Sequence, residues 1–184
     1  MSVLVTGVKS GLGRFLQESI GGSGISRDTI IVHCAHKPVS TPDDARDNLK
    51  LTHDLLNLPH RKFIYISSVD VNRKDSANGR NKLDCEALVE ERGFGTLIIR
   101  LPLILGIYQR PNCVSRIING EKKVTLSGES KFRYIYDAEI LEFIKDSIEK
   151  DSIGICTIGS DEIRLKDIAK IYNPKVKFGT YVYP

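Results

Sequence analysis

The stretch Val3–Leu16, VLVTGVKSGLGRFL, constrains the fold more than any other. A short apolar run passes into Gly7, Gly11 and Gly13, spaced G-x-x-x-G-x-G, and then into a helical pattern. This is a strand, a tight turn and a helix. The first glycine permits the sharp turn. The later ones let backbone approach a phosphate at the helix N-terminus, where free N–H groups and the helix dipole favour anions. The same spacing also serves a plain strand-to-helix turn that uses glycine for close packing, so the turn alone leaves both readings open.

The rest of the chain repeats the alternation. Strands are expected at Ser2–Thr6, Thr29–Cys34, Lys62–Ser67 and Thr96–Arg100, with helices at Leu12–Ile20, Thr41–Leu56 and Asn81–Arg92. Thr41-Pro42-Asp43-Asp44 is a helix start signal. The strands are nearly continuous apolar runs, which suits a parallel sheet covered on both faces. After Pro102 the pattern loosens: a helix at Val114–Asn119, small strands at Lys123–Ser127 and Tyr134–Tyr136, a helix at Glu139–Lys150, a strand at Gly154–Ile158 and a helix at Leu165–Tyr172. The fold class is α/β, a Rossmann-like parallel sheet with helices on both faces and a small C-terminal lobe. No linker divides the chain. Gly21–Gly24 ends the first helix, and 184 residues suit one domain: 1–106 a nucleotide-binding core, 107–184 a substrate-side lobe and closing strand and helix.

Charge and cysteine content exclude several classes. The net charge of +4 is mild and Lys and Arg form no run, so no nucleic-acid partner is indicated. No apolar run is long enough to span a membrane, and Met1-Ser2-Val3 leads straight into a strand without a signal peptide. Cys34, Cys85, Cys113 and Cys156 lie far apart and read as reduced thiols in a cytoplasmic protein. His33-Cys34-Ala35-His36 invites a metal reading. Neighbouring strand residues point to opposite faces, however, and no carboxylate cluster follows, so no metal is expected.

Further motifs carry a resemblance. YISSVDV (Tyr65–Val71), SANGRNKLDCE (Ser76–Glu86) and IIRLPLILG (Ile98–Gly106), with TGVKSGLG in front, resemble the extended short-chain dehydrogenase/reductases. These are the NAD(P)-dependent nucleotide-sugar epimerases, dehydratases and reductases. IIVHCAHK is similar to the family's strand and loop beside the cofactor, and Asn48 falls where its helix carries an Asn. KFRYIYDAEI is similar to its substrate-side segment, with Glu139 at the acidic position. GICTIGSDEIRLKDIAK is similar to its closing strand and helix.

The resemblance implies NAD or NADP bound by Thr6, Gly7, Lys9, Gly11, Leu12, Gly13, Cys34, Ala35, His36 and Lys82, with Ser67 and Arg133 on the substrate side. It implies a hydroxyl, a Tyr and a Lys for catalysis. Ser68 fits the hydroxyl and Lys82 the lysine, but the residue four before Lys82 is Asn78. An amide has no proton to give at neutral pH. Losing a positioned acid–base group costs on the order of 10²- to 10⁴-fold in rate. Tyr65, Tyr108, Tyr134 and Tyr136 are the candidate substitutes, and none has a Lys four residues later. Lys9 and Arg14 flank the glycine turn as candidate phosphate ligands.

A second departure is a gap. The family's second and third strands are missing, because only Gly21–Asp28 separates the first helix from the next strand. The residue that would read the adenosine ribose is lost with them. Either the first crossover departs from the right-handed rule, or its helix changes face, or a partner chain completes the sheet. An exposed first strand would invite pairing with a second copy or a partner subunit. Two functions are expected from this pattern. One is an NAD(P)-binding epimerase/dehydratase-like protein with weak or altered catalysis on a nucleotide-sugar-like molecule. The other is a non-catalytic binding or assembly subunit.

Overall fold

A computed structural model describes residues 2–73 and 75–183; Met1, with its expected lead into the first strand, lies outside the described residues, as do Lys74 and Pro184. The first half alternates as expected: β1 (Val3–Val5), α1 (Gly11–Ile20), β2 (Ile30–His33), α2 (Pro42–Leu56), β3 (Lys62–Ser68), α3 (Ala77–Arg92) and β4 (Thr96–Leu101). A one-turn 3₁₀ segment, Val69–Asn72, follows β3. The second half holds β5 (Leu103–Leu105), α4 (Cys113–Ile118), β6 (Lys131–Phe132), β7 (Tyr134–Tyr136), α5 (Asp137–Glu149), β8 (Gly154–Thr157), β9 (Ile163–Arg164) and α6 (Leu165–Tyr172).

Local chemistry sets these boundaries. The Thr41 hydroxyl accepts from the Asp44 N–H and the Asp44 carboxylate accepts from the Thr41 N–H, a capping box that starts α2. Ser76 accepts from the Gly79 N–H, so α3 begins at Ala77, a turn before the expected start. The expected strand at Lys123–Ser127 does not form. Only isolated bridges, Lys123 to Lys177 and Leu126 to Tyr181, join it to the C-terminal segment. Between the two bridges the Gly179 N–H is shared by the Val124 and Leu126 carbonyls.

The main sheet has five parallel strands in the order β1-β2-β3-β4-β8. Leu12 and Leu16 of α1 and Ile140, Ile144 and Ile148 of α5 cover one face, on Val3, Val5, Ile30, Val32, Ile64, Ile66, Leu97 and Ile99. Leu55 and Leu56 of α2 and Cys85 and Val89 of α3 cover the other, on Ile31, Phe63, Tyr65 and Ile98. A third cluster joins Leu105, Val114, Ile117, Leu165 and Ile168 in the lobe.

This arrangement answers the topological question. All four crossovers step the same way along the sheet, yet α1 and α5 lie on one face and α2 and α3 on the other. The two pairs therefore have opposite hands, and one pair departs from the right-handed rule. β1 stands at the sheet edge among the described residues. The chain fences that edge itself. The Gly22 N–H donates to the Val3 carbonyl at 2.9 Å, and the Ser2 hydroxyl reaches the carbonyls of Ser23 and Gly24 at 3.1 and 3.0 Å.

Candidate functional site

The carboxyl ends of β1 to β4 open into a cleft of about 1370 Å³. The glycine turn forms one wall. Gly7 and Gly11 have φ of +74° and +59°, which L side chains rarely adopt. A side chain at Gly7 would press on the Ala35 backbone at 2.9 Å, and one at Gly13 would meet the Gly7 carbonyl at 2.4 Å. Close packing alone thus demands glycine at both positions. Ser10 makes no side-chain cap on α1, whose first residues Gly11, Leu12 and Gly13 line the cleft.

Cys34, Ala35 and His36 line the wall next to it, packed on Gly7. Thr6 supports them from behind: its hydroxyl accepts from the Ala35 N–H at 3.2 Å and bonds His33 Nδ1 at 2.8 Å. Asn48 holds the next residue, accepting from the Lys37 N–H at 2.8 Å and donating to its carbonyl at 2.9 Å. His33 is a satisfied core residue, its second ring nitrogen 3.2 Å from the Thr52 hydroxyl. Burial pushes the His33 and His36 imidazoles down to about 3 and the Cys34 thiol up to about 12, so all three stay neutral near pH 7. Among the described residues no group of His, Cys, Asp and Glu could hold a metal ion.

The floor carries Ser67, Ser68 and Lys82. Ser67 is 4% exposed, and its hydroxyl has no hydrogen-bond partner among the described residues. The Ser68 hydroxyl accepts from the Asp70 N–H at 3.2 Å and keeps its own proton to donate. Lys82 is buried. Its Nζ donates to the Ile66 carbonyl at 2.7 Å and lies 4.8 Å from the Tyr65 ring centre. No carboxylate pairs with it among the described residues. Glu86, on the same helix, is taken by Arg100 at 2.6 Å. Desolvation pulls the Lys82 ammonium down to about 8.

Other predicted residues sit elsewhere. Asn78 is outside the cleft lining, and its side-chain oxygen accepts from the Val39 N–H at 2.7 Å. Lys9 and Arg133 are exposed on the cleft wall. Arg14 turns away, onto Glu18 at 2.9 Å and over the Tyr108 ring at 4.1 Å. Glu139 accepts from the Tyr136 N–H at 2.9 Å and caps α5. None of Tyr65, Tyr108, Tyr134 and Tyr136 lines the cleft, but Tyr183 does. The Tyr183 ring stacks on Phe132 at 5.0 Å, and its phenol bonds Arg73 and Asp70. Gln109 also lines the cleft beside the glycine turn, its Nε2 buried without a partner among the described residues. Sequence pattern singles out neither residue, because long-range contacts place both.

Strands, turn and cleft define a Rossmann-type α/β domain. Similar solved structures include the UDP-N-acetylglucosamine 4-epimerase of Bacillus cereus, with a TM-score of 0.77 and 17% identity over 100% of this chain and 87% of that one. MoeE5 in complex with UDP-glucose and NAD gives 0.78 and 18%, covering 98% of this chain and 86% of that one. The dTDP-4-dehydrorhamnose reductase of Bacillus anthracis in complex with NADP gives 0.72 and 18%, covering 99% and 85%. At these identities the likeness establishes the fold. No protein-family model matches the sequence, and no curated protein matches it. Among the described residues no helix is long and apolar enough to cross a membrane.

Proposed function

We propose that this chain binds a nicotinamide nucleotide in the cleft, with a nucleotide-sugar-like molecule toward the lobe, and does not perform the proton transfer usual in enzymes of this fold. The observation that carries this reading is one juxtaposition. Ser67, Ser68 and Lys82 face the glycine turn across a single cleft, while Asn78 is spent on the Val39 backbone. The unpartnered Ser67 hydroxyl and the unpaired Lys82 ammonium suit a ligand rich in oxygen acceptors. A bound nicotinamide supplies hydride exchange. Lys82 and Ser67 donate to ligand oxygens, and Ser68 is free to polarise a carbonyl. Lys9 and Arg133, on the cleft wall, suit the charge of phosphates.

A second reading, catalysis with a relocated phenol, is favoured by Tyr183, which lines the same cleft under Arg73. Titration with NADH and NADPH to near-millimolar concentration, followed by nucleotide fluorescence or calorimetry, tests the first reading. Saturable binding of one of them is expected, and absence of both overturns it. Hydride exchange with UDP-glucose in wild type that disappears in Tyr183→Phe would establish the second.

A further inference from the structure

Strand alternation sets the floor of the cleft. Tyr65 packs toward α2 and α3, Ile66 toward α1 and α5, and alternation returns Ser67 to the α3 side. Lys82 reaches from α3 over the Tyr65 ring to the Ile66 carbonyl. Its ammonium and the Ser67 hydroxyl therefore share one face, about a residue apart along β3. An ammonium carries three N–H groups, and only one of these meets an oxygen. The Ser67 hydroxyl and His36 Nε2 are both buried without a partner among the described residues, and both residues line the same cleft. His36 is close enough to Lys82 for the ammonium to oppose its charging, and the neutral ring can place its one N–H on Nε2. The floor is thus rich in donors and poor in acceptors.

Charge is unbalanced in the same place. The carboxylates that line the cleft are engaged elsewhere: Asp47 lies 3.4 Å from Lys37, Glu162 2.8 Å from Lys131 and Asp70 3.5 Å from the Tyr183 phenol. Around the Lys82 ammonium stand Tyr65 of β3, His33, Cys34 and His36 of β2 and the loop after it, and Cys85 and Glu86 of its own helix. His33, Cys34 and His36 are neutral near pH 7, and Glu86 is held by Arg100. A buried cation is costly until something supplies its counter-charge. A sugar hydroxyl would accept from Lys82, but it brings a proton of its own and no charge. A carboxylate brings one negative charge, about four lone-pair directions and no proton.

We propose that the floor of this cleft is a carboxylate site, in which Lys82, Ser67 and His36 hold the acid group of an organic-acid ligand. The inference rests on the reading above for the cleft's being a ligand site, and not for the nicotinamide. Malonate and its uncharged analogue malonamide test it on the full chain. Lysine Cε resonances are followed by NMR, with that of Lys82 assigned by its loss in Lys82→Met. The Lys82 titration midpoint, about 8 in chloride, is expected to rise in malonate of equal ionic strength, the proton held about tenfold tighter or more. Malonamide is expected to leave it in place. A midpoint that malonate does not move, or that malonamide moves equally, overturns the inference. Ser67→Ala, with an unchanged melting temperature, is expected to weaken malonate about tenfold, the loss of one hydrogen bond to a charged group. An unchanged affinity in that variant overturns the site. Titration with NADH and NADPH separates the two readings. Binding of either without a response to malonate overturns the carboxylate site and leaves the nicotinamide reading standing. A response to malonate without binding of either supports the site and overturns the nicotinamide reading alone.

Discussion

Replacing Lys82 with Met isolates what a buried cation costs this fold. Desolvation pulls its ammonium from 10.5 to about 8, and its contacts are one backbone carbonyl and one ring face. Each pKa unit is worth about 1.4 kcal/mol, so keeping the proton at pH 7 costs the native state about 3 kcal/mol. Met removes that cost and leaves the Ile66 carbonyl without its donor, a loss of about 1–2 kcal/mol. The variant is therefore expected to be more stable at pH 7 by about 1–2 kcal/mol, or about 2–8 °C for a chain of this size. The pH dependence carries the sharper signature. The native pKa lies below the unfolded one, so between them the unfolded chain binds the proton and the native chain does not. Wild-type stability from this group rises as pH climbs from about 8 toward 10.5 and is lost as pH falls through 8. About 2 kcal/mol of the variant's advantage should vanish between pH 7 and pH 9.5. Urea unfolding of both proteins across that range, at equal m-values, measures it. A variant less stable than wild type at pH 7, or an advantage that stays flat with pH, refutes the reasoning.

Two further substitutions probe the site's frame. Gly13→Ala places a methyl 2.4 Å from the Gly7 carbonyl and 2.7 Å from that of Thr6, both backbone. It should cost about 2 kcal/mol or more, read as a lower urea midpoint, and a neutral result would mean that the turn yields easily. Glu86→Ala removes the fully buried partner of Arg100, which retains 22% exposure. A loss of about 3 kcal/mol is expected by thermal unfolding, at the low end for a broken buried pair because the guanidinium keeps some water.

How much of this was legible in the sequence depended on whether the signal was local. KFIYIS reads as a strand buried on both faces, and Lys62–Ile66 and Ser67 are buried along its length. Thr41-Pro42-Asp43-Asp44 reads as a helix start and is a capping box. The glycine turn reads as strand, turn and helix and is one. The lobe's short strands carry too few residues for a period to show; β6 and β9 have two each. Cleft membership was legible where it followed from a strand end, as at Ser67 and Cys34, from the glycine turn, or from a motif position, as at Lys82. Gln109 and Tyr183 arrive through contacts with Gly11, Phe132 and Arg73, distant in the chain, and no spacing announces such contacts. Asn78 shows the reverse case. Its place four residues before Lys82 marks it as a site position, but a bond to the Val39 N–H takes it out of the cleft.

The unreversed strand order also has a consequence for how the molecule is made. Val3 pairs with Ile30, Ile30 with Lys62 and Phe63 with Thr96, so β2, β3 and β4 each find a neighbour in the strand just synthesised. A doubly wound sheet starts in the middle and must leave one flank of its first strand open for a later arrival. This one is laid down from edge to edge. Only β8 pairs across a longer stretch of chain, and the helix it waits for, α5, covers the same face as α1. Folding during synthesis can then advance one strand at a time from a fenced edge, with short loop closures and little unpaired strand held in reserve.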